Sequence, residues 1–136
     1  MKIVINACFG GFNLSSVAVK ELAKRKGKEC YFFSHDFKSG RYIPMSDKEA
    51  EKETFCPSAF TVKNPNDYKL QERDADGLYG SANKRAKEIS LESRPDNRSD
   101  EDLVAVVEML GKRASGRCAE LKVVEINQNG LVSPQN

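Results

Sequence analysis

Apolar residues at the start of the chain first form a short continuous run and then recur at helical spacing. The β-branched run at residues 2–7 predicts a strand. Leucine, valine and alanine over residues 14–22 fall on one face of a helix, which either Asn13 or Ser15 can cap. Gly27 follows three basic residues and predicts the end of this helix. The first part of the chain therefore predicts a strand, a turn and a helix.

The middle of the chain is rich in aromatic residues and less regular. Residues 30–33 and 41–43 predict a hairpin, and residues 58–62 predict another strand. Residues 47–53 fit either a short helix or an exposed loop, and residues 84–91 fit either a helix or a strand. A long, weakly patterned region in a small domain indicates either function or an element that the pattern does not reveal.

The clearest helical pattern lies in the last third. Residues 103–110 carry apolar side chains at i, i+3, i+4 and i+7. Ser99, with Asp102 three residues later, has the form of a capping box at the start of this helix. The helix either ends at Gly111 or continues to Gly116.

A final strand and a polar segment complete the predicted fold. Residues 121–126 predict a strand, and residues 127–136 are mostly polar and predict a loose C-terminal tail. Together these elements predict one α+β ligand-binding domain over residues 1–126. We expect a mostly antiparallel sheet and two helices.

The composition limits the classes of function. With 22 Lys and Arg against 20 Asp and Glu, the net charge of +2 is too even for a dedicated duplex DNA binder. No apolar run approaches the roughly 20 residues of a membrane helix, and the start lacks the features of a secretion signal. We therefore expect an intracellular protein whose partners include neither a nucleic-acid polymer nor a membrane. Because only 39% of the residues are hydrophobic, contacts between subunits would add stability to a thin core.

The cysteine and histidine pattern argues against a metal site. The four cysteines lie far apart, without a C-x-x-C pair, and His35 is the only histidine. We expect reduced, mostly buried thiols, no metal and no cofactor. His35 could act with Asp36 to orient a base, but no Ser or Cys nucleophile is marked by its local context. The chain carries no clear enzyme signature.

Two features of the sequence are suited to binding an anion. The turn at residues 8–12 lies between a strand and a helix, where backbone N–H groups can hold a phosphate. The alternative is a tight turn flanked by two core phenylalanines. Separately, Arg94 and Arg98 precede the second helix, and Arg113 and Arg117 follow it.

The second helix separates these two arginine pairs. A helix over residues 102–112 is roughly 15 Å long, so one phosphate group cannot contact both pairs within one copy. A second copy packed antiparallel would bring Arg98 of one chain near Arg113 or Arg117 of the other, and such a cluster suits a pyrophosphate. The alternative is that each arginine is solvated or pairs with nearby acidic residues.

Two blocks of sequence resemble one protein family. The first block is residues 1–15 (MKIVINACFGGFNLS). The second block comprises residues 98–108 (RSDEDLVAVVE) and 114–126 (ASGRCAELKVVEI). Both are similar to the first Thoeris anti-defence family of small phage proteins. Members of that family bind the cyclic ADP-ribose isomers made by bacterial TIR-domain proteins and hold them without cleavage, as a sponge. Some members also bind cyclic trinucleotides at separate sites in a hexamer. Residues 28–97 show no such resemblance.

The resemblance implies a function and a set of site residues. It implies sequestration of a cyclic nucleotide immune signal in the host bacterial cytoplasm by a homodimer or hexamer, with no catalytic residue. The alternative is a small phage enzyme or a protein-binding inhibitor that acts on the same kind of defence. Family members often have Pro where this chain has Glu101, which leaves the preferred ligand open. The implied ligand-binding residues are Phe9, Gly10, Gly11, Phe12, Tyr79, Arg98, Ser99, Asp100, Arg113 and Arg117.

Overall fold

Short strands and helices alternate along the chain. The computed structural model describes residues 1–8, 10–53, 57–70, 72–73, 75–78, 83–117, 119–126 and 132–134. The strands in these residues are β1 (Lys2–Asn6), β2 (Tyr31–His35), β3 (Tyr42–Met45), β4 (Ser58–Phe60), β5 (Leu121–Ile126) and β6 (Val132–Pro134). The α-helices are α1 (Ser16–Arg25), α2 (Asp47–Lys52), α3 (Lys84–Ile89) and α4 (Glu101–Leu110), and 3₁₀ turns cover Pro65–Tyr68 and Gly111–Ala114.

The strands divide between two antiparallel sheets of three strands each. The first has the order β1-β5-β6 and the second the order β3-β2-β4. The predicted single α+β domain with antiparallel strands is confirmed, and α1 and α4 are the two predicted helices. Both segments that the pattern left open contain short helices, α2 and α3.

The ends of α1 follow the sequence prediction. The Ser15 hydroxyl caps the helix by accepting a hydrogen bond of 3.2 Å from the backbone N–H of Ala18. At the other end, Gly27 takes a φ of 72°, and the N–H of Lys28 donates to the Ala23 carbonyl at 2.9 Å. This is a Schellman ending, which places a glycine where an L side chain would be strained.

The start of α4 differs from the prediction by one residue. Asp100, not Ser99, is the N-cap, because its carboxylate accepts from the N–H of Leu103 at 3.2 Å. The Ser99 hydroxyl instead donates to the side-chain oxygen of Asn97 at 2.9 Å. A carboxylate at this position also interacts favourably with the positive end of the helix dipole, which favours Asp over Ser. At its other end, Gly111 terminates α4 with a φ of 58° and begins the 3₁₀ turn.

Apolar side chains form two clusters on opposite faces of the second sheet. The larger one joins α1, α4 and the first sheet, and its fully buried members include Leu14, Leu103 and Val106. Because alternate residues of a strand point to opposite faces, Phe32 belongs to this cluster and Phe33 to the smaller one. The smaller cluster contains Phe33, Phe60, Leu70, Ala86 and Ile89.

One outer edge of the second sheet is closed by a side chain. The Asn66 amide accepts from the Tyr42 N–H at 2.8 Å and donates to the Tyr42 carbonyl at 2.9 Å. Two residues further along β3, Pro44 has no N–H to offer. The exposed edge of β3 therefore lacks the donors that an added strand would need.

Two expectations are only partly met. Val132–Pro134 pair with β5, so this part of the predicted loose tail is a strand, whereas residues 127–131 and 135–136 lie outside the described residues. Cys30 is buried as expected, but Cys8 is exposed. Cys56 and Cys118 lie outside the described residues.

Candidate functional site

The turn after β1 is held in place by Asn6. Its side-chain amide donates to the carbonyls of Cys8 and Gly10, and its side-chain oxygen accepts from the N–H of Glu120 at 2.9 Å. Asn6 thereby ties the glycine turn to the chain segment that enters β5. Phe9, at the middle of this turn, lies outside the described residues.

Residues 11–15, which join the glycine turn to α1, form what we call the central segment. Its Leu14 N–H donates to the Ser93 carbonyl at 2.9 Å. On the other side, the Ser15 N–H donates to Ala114 at 2.9 Å, and the N–H of Gly116 donates to Asn13 at 2.7 Å. The central segment therefore lies between the chain before α4 and the chain after it.

At its beginning, the central segment contacts the first arginine pair. The guanidinium carbon of Arg98 lies 3.5 Å from the centroid of the Phe12 ring, and Arg98 Nε donates to the Pro95 carbonyl at 2.7 Å. Gly11 does not adopt a left-handed backbone, and the Arg94 guanidinium group lies beside it. A Cβ on Gly11 would lie 3.5 Å from Arg94 Nη2. The structure thus brings Gly11, Phe12, Arg94 and Arg98 together.

At its end, the central segment contacts the second arginine pair. The Ser15 hydroxyl donates to the Arg113 carbonyl at 2.5 Å. Arg113 and Arg117 line a cavity of about 250 Å³, which the first turn of α1 also lines. That turn contains no acidic side chain, so the positive end of the helix dipole is not neutralised there. The cavity is lined by Ser15, Ser16, Val17, Glu51, Glu53, Arg113, Ser115, Gly116 and Arg117.

The two arginine pairs lie on either side of α4 along the chain. Helix α4 has 10 residues and therefore spans roughly 15 Å. Arg94 and Arg98 lie in the chain before it, and Arg113 and Arg117 lie after it.

Several of these arginines lack the acidic partners that would explain them as ordinary surface charges. In the part of the chain that the structure describes, Arg94, Arg98 and Arg113 form no ion pair. Elsewhere the protein pairs its cations readily: Lys20 with Asp47, and both Arg25 and Lys26 with Asp102. The explanation by nearby acids therefore does not apply to these three arginines.

Two residues of the predicted site have structural roles. Asp100 caps α4, and its carboxylate also lies 3.0 Å from Lys26 Nζ. This contact helps raise the pKa of Lys26, the hydrogen bond from Lys26 to Asp100 being the largest cause. Ser99 holds the loop before α4 through Asn97. Tyr79, the remaining predicted ring, lies outside the described residues.

His35, the only candidate for a base, lies in an aromatic stack. Its ring is 4.6 Å from that of Tyr42 and nearly parallel to it, and the Phe37 ring lies 4.8 Å away. Burial raises the pKa of Tyr42. The hydrogen bond from the Ser39 hydroxyl is the main reason why the pKa of Asp36 is lowered. These contacts explain His35 and Asp36 as parts of the β2–β3 hairpin.

The sequence alone did not identify every residue around the central segment. Arg94 is visible as a basic residue but belongs to no matched block, and its contact with Gly11 depends on the folded loop. Glu51 and Glu53 lie about 60 residues from Arg113 along the chain, and no local pattern links them to the cavity. Only the packing of α2 beside the start of α1 brings them together.

Comparison with known proteins adds no further assignment. No family profile matches this chain, and neither a curated protein nor a solved structure is significantly similar to it. Among the described residues, no group of three His, Cys, Asp or Glu could hold a metal ion. None of the helices in these same ranges is long and apolar enough to cross a membrane.

Proposed function

We propose that this protein binds a cyclic nucleotide with a pyrophosphate group, namely a cyclic ADP-ribose isomer, and sequesters it without cleaving it. In this proposal it is a phage anti-defence sponge that acts in the cytoplasm of the host bacterium. The observation that carries the proposal is the arrangement around the central segment. The blocks that resemble the Thoeris anti-defence family contribute the central segment, Arg98 and Arg117, and Arg113 directly precedes one of them.

The charge of the site supports a phosphate ligand. A guanidinium group binds phosphate through two parallel N–H donors, and such a bond is stronger when no carboxylate competes for the donors. Arg94 and Arg98 meet this condition among the described residues, whereas Arg113 shares its cavity with Glu51 and Glu53. In addition, the first turn of α1 offers backbone N–H groups next to Arg113 and Arg117.

The size of the cavity supports a site shared between copies. Pockets that enclose a small ligand usually measure about 300–1,000 Å³, and the cavity beside Arg113 has about 250 Å³. A second copy that covers this cavity would complete the enclosure and bring its own Arg94 and Arg98 close. We therefore propose a homodimer as the smallest functional unit, which a hexamer would repeat. Cyclic trinucleotides are a further class of ligand to test.

Isothermal titration with cyclic ADP-ribose isomers tests the proposal directly. A sponge must compete with a receptor, so we expect a dissociation constant below about 1 μM, or more than about 8 kcal/mol of binding free energy. Arg98→Ala, Arg113→Ala and Arg117→Ala should each weaken binding about tenfold or more, since each removes a charged hydrogen-bonding group. Arg41→Ala is the matched control, because Arg41 is exposed on the β2–β3 hairpin.

The same experiment separates the alternatives. After binding, the mixture is heated to denature the protein, and the released ligand is analysed by chromatography and mass spectrometry. Intact ligand supports sequestration, whereas a cleaved ligand identifies an enzyme. Absence of binding to every cyclic ADP-ribose isomer and every cyclic oligonucleotide would refute the proposal. An inhibitor of a protein partner would then remain, and its activity should tolerate all three arginine substitutions.

A further inference from the structure

Arg98 is held in one orientation by two contacts. The Phe12 ring lies 3.5 Å from its guanidinium carbon, and the Pro95 carbonyl accepts from its Nε at 2.7 Å. Phe12 itself is buried, so the ring is a rigid support. The guanidinium group lies over the Phe12 ring, and Arg98 as a whole is only partly buried, so part of its side chain is accessible to a ligand.

Arg94 is in a different situation. It is exposed, and its guanidinium group lies beside Gly11. No described carboxylate pairs with it. The N–H donors of such a guanidinium group can turn toward a ligand. In Arg98, by contrast, Nε already donates to the Pro95 carbonyl.

We propose that Arg98 and Arg94 have different tasks in the same site: Arg98 is a flat platform on which the adenine base stacks, and Arg94 binds the pyrophosphate. This inference rests on the proposed function and names two specificity-determining residues within it. It also assigns a ligand contact to Arg94, which the sequence resemblance does not include.

The chemistry of the guanidinium group supports this division. It is planar and weakly hydrated, and bases stack on it as they do on aromatic rings. The electron-rich face of Phe12 attracts the cation from below, so the platform costs little to desolvate. Lysine has a compact, strongly hydrated charge without a flat surface, but it can still neutralise a phosphate. Exchange of each arginine for lysine therefore distinguishes stacking from charge.

The experiment compares two probes, cyclic ADP-ribose and inorganic pyrophosphate, on the whole protein. Binding of each probe is measured by direct titration calorimetry. We expect Arg98→Lys to weaken cyclic ADP-ribose binding at least tenfold and pyrophosphate binding less than threefold. Arg94→Lys should change both less than threefold, and Arg94→Ala should weaken both by a similar factor of about ten.

A second substitution at Arg98 separates the flat surface from the charge. Arg98→Gln retains a flat amide without the charge, and we expect it to bind cyclic ADP-ribose more tightly than Arg98→Lys. Thermal unfolding of each variant identifies loss of the fold. The platform would be disproved if Arg98→Lys weakened both probes equally, or if Arg98→Gln bound cyclic ADP-ribose no better than Arg98→Lys.

The failure of this inference is distinguishable from the failure of the proposed function. If the wild-type protein binds neither probe, the proposed function is wrong, and so is the proposed stacking of adenine on Arg98. If it binds pyrophosphate but not cyclic ADP-ribose, base recognition is absent and the platform is disproved. If it binds cyclic ADP-ribose while the two lysine variants behave alike, only the division of tasks is wrong.

Discussion

The basic side chains of this protein fall into two groups according to their surroundings. Lys20, Arg25 and Lys26 lie beside carboxylates on neighbouring helices, where exposed ion pairs contribute about 0–1 kcal/mol each. Arg94 and Arg98 have no such partner among the described residues. A count of charges in the sequence cannot separate these groups, since the acidic partners come from distant parts of the chain.

Cys8 and Cys30 also differ in their surroundings, and this difference predicts different thiol reactivities. Burial raises the pKa of the Cys30 thiol from 9.0 to about 11, so at pH 8 its reactive thiolate is roughly a hundredfold rarer than that of an ordinary thiol. Cys8 is exposed. We expect a variant that retains only Cys8 to react with a disulfide reagent at the rate of a free thiol, and a variant that retains only Cys30 to react at least a hundredfold more slowly.

The two thiol variants carry their own control. In denaturant both should react at the same rate, because unfolding removes the burial of Cys30. Equal rates in the folded state would show that Cys30 is accessible and that its environment is not as described.

The ends of the helices matter as much as their apolar faces. Helix α4 begins at a carboxylate that both caps its first turn and contacts Lys26 at the end of α1. One residue thus joins the two ten-residue helices. Its loss affects the cap and the helix contact together.

Substitutions at Asp100 and Ser99 give a prediction about the stability of the fold. Asp100→Ala should lower the free energy of unfolding by about 1 kcal/mol, since it removes the cap. Ser99→Ala should change it by less than about 0.5 kcal/mol. The measurement is urea unfolding followed by circular dichroism. If Ser99→Ala lowered the free energy of unfolding more than Asp100→Ala, the N-cap of α4 would be Ser99 and not Asp100.

The pH dependence of Asp100→Ala has a definite sign. The pKa of Lys26 is raised in the folded protein, so its contact with Asp100 stabilises the fold below pH 10.5 and is lost as the pH rises through the raised value. The difference between wild type and Asp100→Ala should therefore shrink above that pH. Asp100→Asn retains a capping oxygen and isolates the charge.

The elements that are predicted well share one property. Strands β1 and β5 and helices α1 and α4 bury one face, so their apolar spacing is visible in the chain. Gly27 marks the end of α1 because only a glycine accepts that backbone without strain. The elements that spacing could not decide, α2 and α3, have six residues each and bury few side chains.

The candidate site was less predictable than the fold. The glycine turn and Arg98 lie in recognisable blocks, but the contacts of Arg94 with Gly11 and of Glu51 with the Arg113 cavity join residues that are far apart in the chain. Such contacts depend on tertiary packing and leave no local signal.

At the scale of the whole molecule, the proposed site extends beyond one copy. One end of the central segment contacts the first arginine pair and the other end lies at the second. In the proposed function, a neighbouring copy supplies one of the two pairs. Assembly and ligand binding should therefore stabilise each other.

Thermal unfolding with and without ligand gives the prediction at this scale. A ligand present at a hundred times its dissociation constant stabilises the fold by about 2.7 kcal/mol, which corresponds to roughly 8 °C for a chain of this length. We expect this shift with cyclic ADP-ribose, and none with the double variant Arg113→Ala, Arg117→Ala. Sedimentation should show at least a dimer. A monomer at all concentrations, with no thermal shift, would contradict a shared site.

The closed border of β3 has a consequence for how copies can meet. Asn66 occupies the backbone groups of Tyr42, and Pro44 offers no proton, so a neighbouring polypeptide cannot continue the hydrogen-bond ladder there. The same arrangement disfavours the fibril formation to which unpaired edge strands are prone. Copies of this protein should therefore not associate by adding a strand to β3.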